Sequence, residues 1–275
     1  MHVAVIITTY NQPEWLDKVL YGYLLQTYQN FQLVIADDGS GEETKAVIEE
    51  YQTKFGEDRL IHVWQADEGF QKSRIMNKAI QATDADYLLF SDGDCIPRQD
   101  FVATHVDRAQ EGYFLSGGYF KLTSEVSDAI GKDEIKKGLA FSKEWLYAQG
   151  LPKTYKTLKL TAKGNFANFM NWITPAKSPW NGHNSSGWKK DIERVNGFDE
   201  RMQYGGQDRE LGERMYNAGI KSKQIRYSAI CVHLDHPRPY RTNTSINKNR
   251  GIRDVTKKEK KVWTDYGLVK NSHEG

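Results

Sequence analysis

Apolar residues in the first 110 positions follow two alternating patterns. Short unbroken runs, Val3 to Thr8, Leu33 to Ala36, Leu60 to Trp64 and Tyr87 to Ser91, read as strands buried on both faces. Longer amphipathic stretches lie between them. From Pro13 to Thr27 the residues Trp15, Leu16, Val19, Leu20 and Leu24 recur at helical spacing, with Pro13 suited to the first turn. Glu42 to Lys54, Lys72 to Ala82 and Gln99 to Gln110 read as helices in the same way. Such alternation calls for parallel strands joined by right-handed crossovers, with helices on both faces. The expected fold is α/β, a doubly wound and mostly parallel sheet of Rossmann type.

The second half is less regular. Tyr113 to Leu122 reads as a strand, Gln207 to Ala218 as a helix ended by Gly219 in the C-cap position, and Lys221 to Cys231 as a final strand. Residues 131–181 have weak periodicity and read as an insertion of short helices and loops. In an open α/β sheet the ligand crevice lies beyond the carboxyl ends of the strands. Those ends carry Thr8-Thr9-Tyr10-Asn11, Asp37-Asp38-Gly39-Ser40, Asp67-Glu68-Gly69-Phe70 and Asp92-Gly93-Asp94.

Bulk composition narrows the function classes. A chain of 275 residues, 39% hydrophobic and 27% charged, fits one soluble α/β domain with an appendage. Thirty-eight basic against thirty-six acidic residues leave a net charge of +2, so general nucleic-acid binding is not implied. Aromatic residues make up 12%, including seven Trp and fifteen Tyr; they read either as flat platforms for sugar rings or as an aromatic core. Two cysteines, Cys95 and Cys231, form no disulfide framework and no zinc spacing, so each reads as a small buried residue in a reducing compartment. No apolar stretch reaches the roughly 18–20 residues needed to cross a bilayer, and a cytoplasmic protein is expected. Residues 237–275 hold ten Lys or Arg against four Asp or Glu. They read as a solvated helix or, functionally, as a basic face making peripheral contact with anionic membrane or an acidic polysaccharide.

Asp92-Gly93-Asp94 puts two carboxylates at the end of a buried strand. Their repulsion is relieved when a hard divalent ion such as Mn²⁺ or Mg²⁺ joins them, and that ion also accepts phosphate oxygens. A local turn is the plain alternative. Asp38 could accept a pyrimidine N–H or a ribose hydroxyl, or could cap the following helix. Neither G-x-G-x-x-G nor G-x-x-x-x-G-K-[ST] occurs after the first strand, which argues against a dinucleotide oxidoreductase and a P-loop enzyme.

Ile7-Thr8-Thr9-Tyr10-Asn11, Asp37-Asp38-Gly39-Ser40, Glu68-Gly69-Phe70 with Ser73-Arg74 and Asn77, and Asp92-Gly93-Asp94 together resemble family 2 glycosyltransferases of the GT-A fold. Asn196-Gly197-Phe198-Asp199-Glu200 and Gly205-Gly206-Gln207-Asp208 resemble the C-terminal block of β-1,4-galactosyltransferases and polypeptide N-acetylgalactosaminyltransferases. The resemblance implies a GT-A domain over 1–240, with a nucleotide-sugar half (1–120) and an acceptor-binding and catalytic half (121–240). A basic extension, 241–275, would follow. Thr8 and Tyr10 would border the nucleobase and Asp38 would bind uracil. Lys72 and Arg74 would face the uridine or diphosphate, and Asp92 would lie near the ribose and the metal. Asp94 would ligate the metal, with His233 or His236 as a further ligand. Asp208 would be the catalytic base. Many relatives have Glu where this chain has Gln207, which cannot act as a base and reads as an acceptor contact. The stretch Trp180 to Trp188 resembles the Gly-x-Asn loop before the acceptor block, making Asn184 and Trp188 acceptor candidates; Trp188 reads equally as a core anchor.

The expected activity is inverting transfer of galactose or N-acetylgalactosamine, with GlcNAc or glucose as alternatives. The donor would be a UDP-sugar and the acceptor a saccharide or lipid-linked saccharide of a surface polysaccharide or lipo-oligosaccharide. Two other classes compete. A nucleotidyltransferase making NDP-sugars would need a Gly-rich basic loop after the first strand, and a non-catalytic sugar-binding module would have no use for Asp208.

Overall fold

The computed structural model describes residues 1–236 and 241–270. The parts of the basic C-terminal segment at 237–240 and 271–275 lie outside the described residues. The first half runs β1 (Val3–Thr9), α1 (Pro13–Leu24), β2 (Gln32–Asp37), α2 (Glu42–Phe55), β3 (Leu60–Trp64), α3 (Lys72–Gln81), β4 (Tyr87–Asp92), β5 (Cys95–Pro97) and α4 (Phe101–Arg108). There follow β6 (Tyr113–Ser116), β7 (Gly118–Lys121), α5 (Ser124–Ala129), α6 (Lys132–Lys136), α7 (Lys143–Ala148), α8 (Leu158–Thr161) and α9 (Gly164–Ile173). The chain ends with β8 (Ser185–Trp188), α10 (Lys189–Arg194), α11 (Gln207–Asn217), β9 (Lys221–Gln224), β10 (Ile230–His233) and α12 (Asn243–Lys258).

The main sheet has the order β3-β2-β1-β4-β8-β6-β9. β1 pairs in parallel with both β2 and β4, so the winding reverses between β1 and β4. Its side chains alternate between two cores: Val3, Val5 and Ile7 join one cluster, Ala4 and Ile6 the other. Burial on both faces is what an unbroken apolar strand requires, each large side chain contributing about 1.5–3 kcal/mol. The doubly wound α/β architecture expected from the pattern is present.

The second half departs from expectation in instructive ways. The single strand expected over Tyr113–Leu122 is two, β6 and β7, broken at Gly117, where a Cβ would lie 1.9 Å from Asn184 Oδ1. Likewise Lys221–Cys231 splits into β9 and β10. β6 pairs with β9 in the main sheet, and their continuations β7 and β10 pair in a second sheet ordered β5-β10-β7. Both segments change sheets, and pairing resumes after a turn at residues 225–229. β8 was not foreseen at all. It lies antiparallel between β4 and β6, and its small polar residues carry no β signal. Smallness is required there, since a Cβ on Gly187 would sit 3.2 Å from the Trp180 ring.

The described part of the basic C-terminal segment is packed against the domain. Asn249 donates to the carbonyls of Gln203 and Gly205, and Thr256 to Glu210. Glu210 is itself locked in a fully buried pair with Arg214, whose guanidinium also donates to the carbonyls of Val195 and Gly197. Among the described residues no helix is long and apolar enough to cross a membrane.

Candidate active site

A cavity of about 580 Å³ opens at the carboxyl ends of β1 and β4, where the winding reverses. An open α/β sheet leaves a crevice at this point because the neighbouring crossovers depart to opposite faces. Thr8 and Asp92 are register partners on the two strands, and the Thr8 hydroxyl donates to Asp92 Oδ1 over 2.8 Å. The next residue, Gly93, folds back so that its N–H donates to the Thr8 carbonyl; a Cβ there would lie 3.0 Å from that oxygen. This close approach aims both Asp92 and Asp94 into the cavity.

The second sheet completes the acidic corner. The antiparallel register places His233 opposite Cys95, hence beside Asp94. His233 Nδ1 lies 2.6 Å from the Leu234 carbonyl, which can only accept, so Nδ1 carries a proton and Nε2 is the nitrogen turned towards Asp94. That Nε2 is 3.5 Å from Asp94 Oδ2, and His236 Nε2 is 2.8 Å from the same oxygen. The two imidazoles stack at 5.4 Å, and Trp15 packs against His236 at 5.0 Å. Ligands of an octahedral ion with bonds of about 2.1 Å stand roughly 3 Å apart. One carboxylate and two imidazole nitrogens at these spacings therefore fit a divalent cation such as Mn²⁺. Burial opposes ionisation of Asp94, but the hydrogen bond from His236 and the charge of His233 outweigh it and hold the carboxyl below its usual range.

Cys95 joins this ring of donor atoms with Asp94 and His233, which sequence spacing does not reveal. Burial pushes its thiol well up, and Sγ donates to Asp94 Oδ1 over 3.1 Å. It remains a protonated neighbour of Asp94. Both cysteines are buried and free, as expected.

The same cavity is lined by Asp208, in the first turn of α11. Gly205 and Gly206, at φ 112° and 92°, turn the chain into the helix in a conformation that side-chain-bearing residues avoid. Gly182 lies against the carboxylate, where a Cβ would be 2.8 Å from Oδ1. Asp208 is half-buried, with its Oδ1 atom buried and without a hydrogen-bond partner. Burial raises its pKa, Lys72 lowers it and Asp92 raises it, with a net upward shift. Lys72 sits between the two acidic groups, its Nζ 2.5 Å from Asp92 Oδ1. Burial disfavours its charge, but Asp92, Asp208 and Asp94 together hold the ammonium above its ordinary range.

The first two loops form the other wall. Asn11, at φ 47°, bridges them: its N–H donates to Ser40 Oγ and its Oδ1 accepts from Gly41. Tyr10 and Asp38 line the cavity. The Tyr10 hydroxyl donates to Asp67, which raises its pKa. Asp38 accepts from the Gln71 N–H and from Gln65 Nε2, and burial still pushes its pKa up. Arg74 pairs with Glu68 at 2.8 Å; it is not among the cavity-lining residues, although its charge is felt at Asp38.

Thus Thr8, Tyr10, Asp38, Lys72, Asp92, Asp94, Gln207, Asp208, His233 and His236 share one cavity. Asn184 and Trp188 do not. Asn184 is fully buried, accepting from His105 Nε2 through Oδ1 and donating to the carbonyls of Gly118 and Ala229 through Nδ2. Trp188 stacks edge-on against Tyr87 and donates to the Gln110 carbonyl, the core-anchor reading of that residue. Along the loop it is the preceding His183 that faces the cavity, with its ring 4.5 Å from Tyr119. Burial draws the His183 pKa down to about 4, keeping the ring neutral. The available signal was its place inside the Trp180 to Trp188 loop; residues 182–184 form a turn and a bend, so no strand alternation tells which side chain faces the cavity.

Comparison with known proteins agrees with this architecture. The family model of glycosyl transferase family 2 matches residues 4–167, and a model described as the N-terminal domain of galactosyltransferase matches residues 167–237. Hyaluronan synthase of Pasteurella multocida is 24% identical over 98% of this chain and 28% of its own length. Validoxylamine A glucosyltransferase of Streptomyces hygroscopicus subsp. jinggangensis is 25% identical over 91% of this chain and 60% of its own length. The chain thus spans between about a quarter and three-fifths of these relatives. Among solved structures, the mannosyltransferase PcManGT from Pyrobaculum calidifontis, in complex with GDP-Man and Mn²⁺, superposes with a TM-score of 0.57 at 18% identity, covering 87% of this chain and 58% of that one. S. aureus TarS 1–349 in complex with UDP gives 0.58 at 15% identity, covering 86% and 61%. At such identities the likeness speaks for the fold, which is GT-A. With more than half its length matched by one family model, the chain belongs to glycosyl transferase family 2.

Proposed function

We propose that this protein transfers a sugar, galactose or N-acetylgalactosamine by preference, from a UDP donor to a hydroxyl of a saccharide or lipid-linked saccharide, with inversion. Metal dependence is part of the proposal. The observation that carries it is the shared cavity, which Asp92, Asp94, His233, His236 and the half-buried Asp208 all line. The C-terminal match to a galactosyltransferase model favours the galactosyl donors, and the neighbours holding GDP-Man or UDP favour a nucleotide-diphosphate sugar.

In this reading Asp94, His233 and His236 would hold a divalent cation, which supplies positive charge to the departing diphosphate. Thr8, Tyr10 and Asp38 would border the nucleoside, and Lys72 would place its ammonium near the phosphates. Gln207 and the neutral His183 would contact the acceptor. The acceptor oxygen attacks the anomeric carbon from the side opposite the diphosphate. As the new C–O bond forms, the bond to the diphosphate breaks and its electron pair leaves with the phosphate oxygen. The hydroxyl proton passes to the Asp208 carboxylate, whose raised pKa suits it to accept one. The reaction would be cytoplasmic, serving assembly of a surface polysaccharide or lipo-oligosaccharide.

Incubation with Mn²⁺ and each UDP-sugar in turn, followed by measurement of released UDP, tests the proposal. UDP-galactose or UDP-N-acetylgalactosamine should be consumed fastest. Release from none of the UDP-sugars, even with oligosaccharide acceptors supplied, rejects it.

A further inference from the structure

The insertion carries a surface that the transfer reaction does not use. α9 buries a single residue, Ala167, while Phe166, Phe169, Trp172 and Ile173 are 50%, 51%, 80% and 52% exposed. Spaced i, i+3, i+6 and i+7, they fall on one side of the helix. The Phe169 and Trp172 rings lie 6.1 Å apart. The helix is nevertheless held firmly. Asn171 donates to Ser228 Oγ and accepts the Tyr227 N–H, and Gln224 donates to the carbonyls of Asn171 and Thr174. A fixed helix presenting four apolar side chains to water marks a contact surface.

Charge decides what covers it. From Trp145 to Lys190 the chain has no Asp or Glu. Lys153, Lys156, Lys159, Lys163 and Lys177 fall in this stretch, and among the described residues none forms an ion pair. Arg226, which donates to the Lys177 carbonyl, adjoins the end of α9 through Tyr227. Lys159 lies within electrostatic reach of both Arg226 and Lys156; after burial, their repulsion also lowers its pKa. A second copy of this chain would bring these cations face to face across a two-fold interface. An anionic bilayer accepts both features: rings enter the headgroup region while lysines reach the lipid phosphates. The basic helix α12 is different, since its Arg253 and Lys257 are already paired with Glu213.

We propose that the aromatic face of α9 and the lysines beside it seat this protein on an anionic lipid bilayer. The docking stands independently of the transfer reaction. Because residues 174–181 lead directly from α9 to Gly182 and His183, it would hold the acceptor side of the cavity close to the membrane.

Flotation with phosphatidylcholine vesicles, with and without phosphatidylglycerol, tests the docking on the full chain. Binding is expected only with phosphatidylglycerol and should weaken as salt is added. Trp172→Ser and Phe169→Ser should each reduce partitioning about tenfold, and Lys156→Gln about fivefold. Lys258→Gln, on α12, should leave it unchanged. These side chains are exposed, so the melting temperature should hold; should Trp172→Ser misfold, Phe169→Ser and Lys156→Gln carry the test. Failure to bind phosphatidylglycerol vesicles overturns the proposal, as does equal binding to both vesicles. So does loss of binding in Lys258→Gln but not in the α9 variants. A dimer in sedimentation that Trp172→Ser dissolves, with no vesicle binding, would assign the face to a second copy instead. UDP release is unaffected by any of these outcomes and reports on the cavity alone.

Discussion

Asp208→Asn should abolish turnover and at the same time make the protein more stable. Asn preserves the shape of the side chain and removes both its charge and its ability to take a proton. Loss of a general base typically lowers rate about 10²- to 10⁴-fold, or roughly 3–5 kcal/mol of transition-state stabilisation. The stability effect has the opposite sign. Asp208 is half-buried with its Oδ1 atom buried and unpartnered, and such an atom costs about 1 kcal/mol or more. Its folded-state pKa is raised above the unfolded value, so the ionised form is penalised at pH above the folded pKa. That penalty fades as pH falls through the folded pKa towards the ordinary carboxylate range. The variant should therefore melt about 2 °C higher than the parent near neutrality, and the gap should close in acid. By the same shift, kcat of the parent should fall on acidification through a pKa above the usual value near 4. Three measurements check this: kcat at saturating donor, calorimetric UDP affinity with Mn²⁺, and melting across a pH series. Unchanged kcat would refute the assignment. So would a variant that melts lower at neutral pH and no longer binds UDP, since that would make Asp208 a structural residue.

Two other substitutions separate the metal corner from the scaffold. Asp94→Asn should weaken UDP binding measured with Mn²⁺ by at least about tenfold, to the affinity the parent shows in chelator; equal affinity in all three titrations would remove the cation from the site. Asn184→Ala removes the hub joining His105, Gly118 and Ala229 and should cost about 2 kcal/mol in urea unfolding without changing the acceptor KM. An unchanged urea midpoint with a raised acceptor KM would return Asn184 to the acceptor site.

Legibility of this chain divided along physical lines. β1 to β4 and their helices were readable because each strand is buried on both faces and each helix on one, which imposes local apolar patterns. Asp38, Asp92 and Asp94 were readable because strand ends in such a sheet have to face the crevice. β8 was not, as Ser185, Ser186 and Gly187 owe their strand conformation to β4 and β6 on either side rather than to any preference of their own. The splits at Gly117 and between β9 and β10 were hidden for a related reason: changing sheets requires a partner that changes with it.

The linear order of residues thus determined the winding of the first half, the loops that form the cavity, and the acidic groups with chemistry to offer. Only the folded chain decided which side chains meet there. It set His233 beside Asp94 through pairing with Cys95, placed Lys72 between Asp92 and Asp208, and turned His183 rather than Asn184 towards the cavity. Local patterns record how much of a residue is buried, because burial selects its polarity. They do not record which distant residue buries it, because that choice depends on strand pairing across a hundred or more positions.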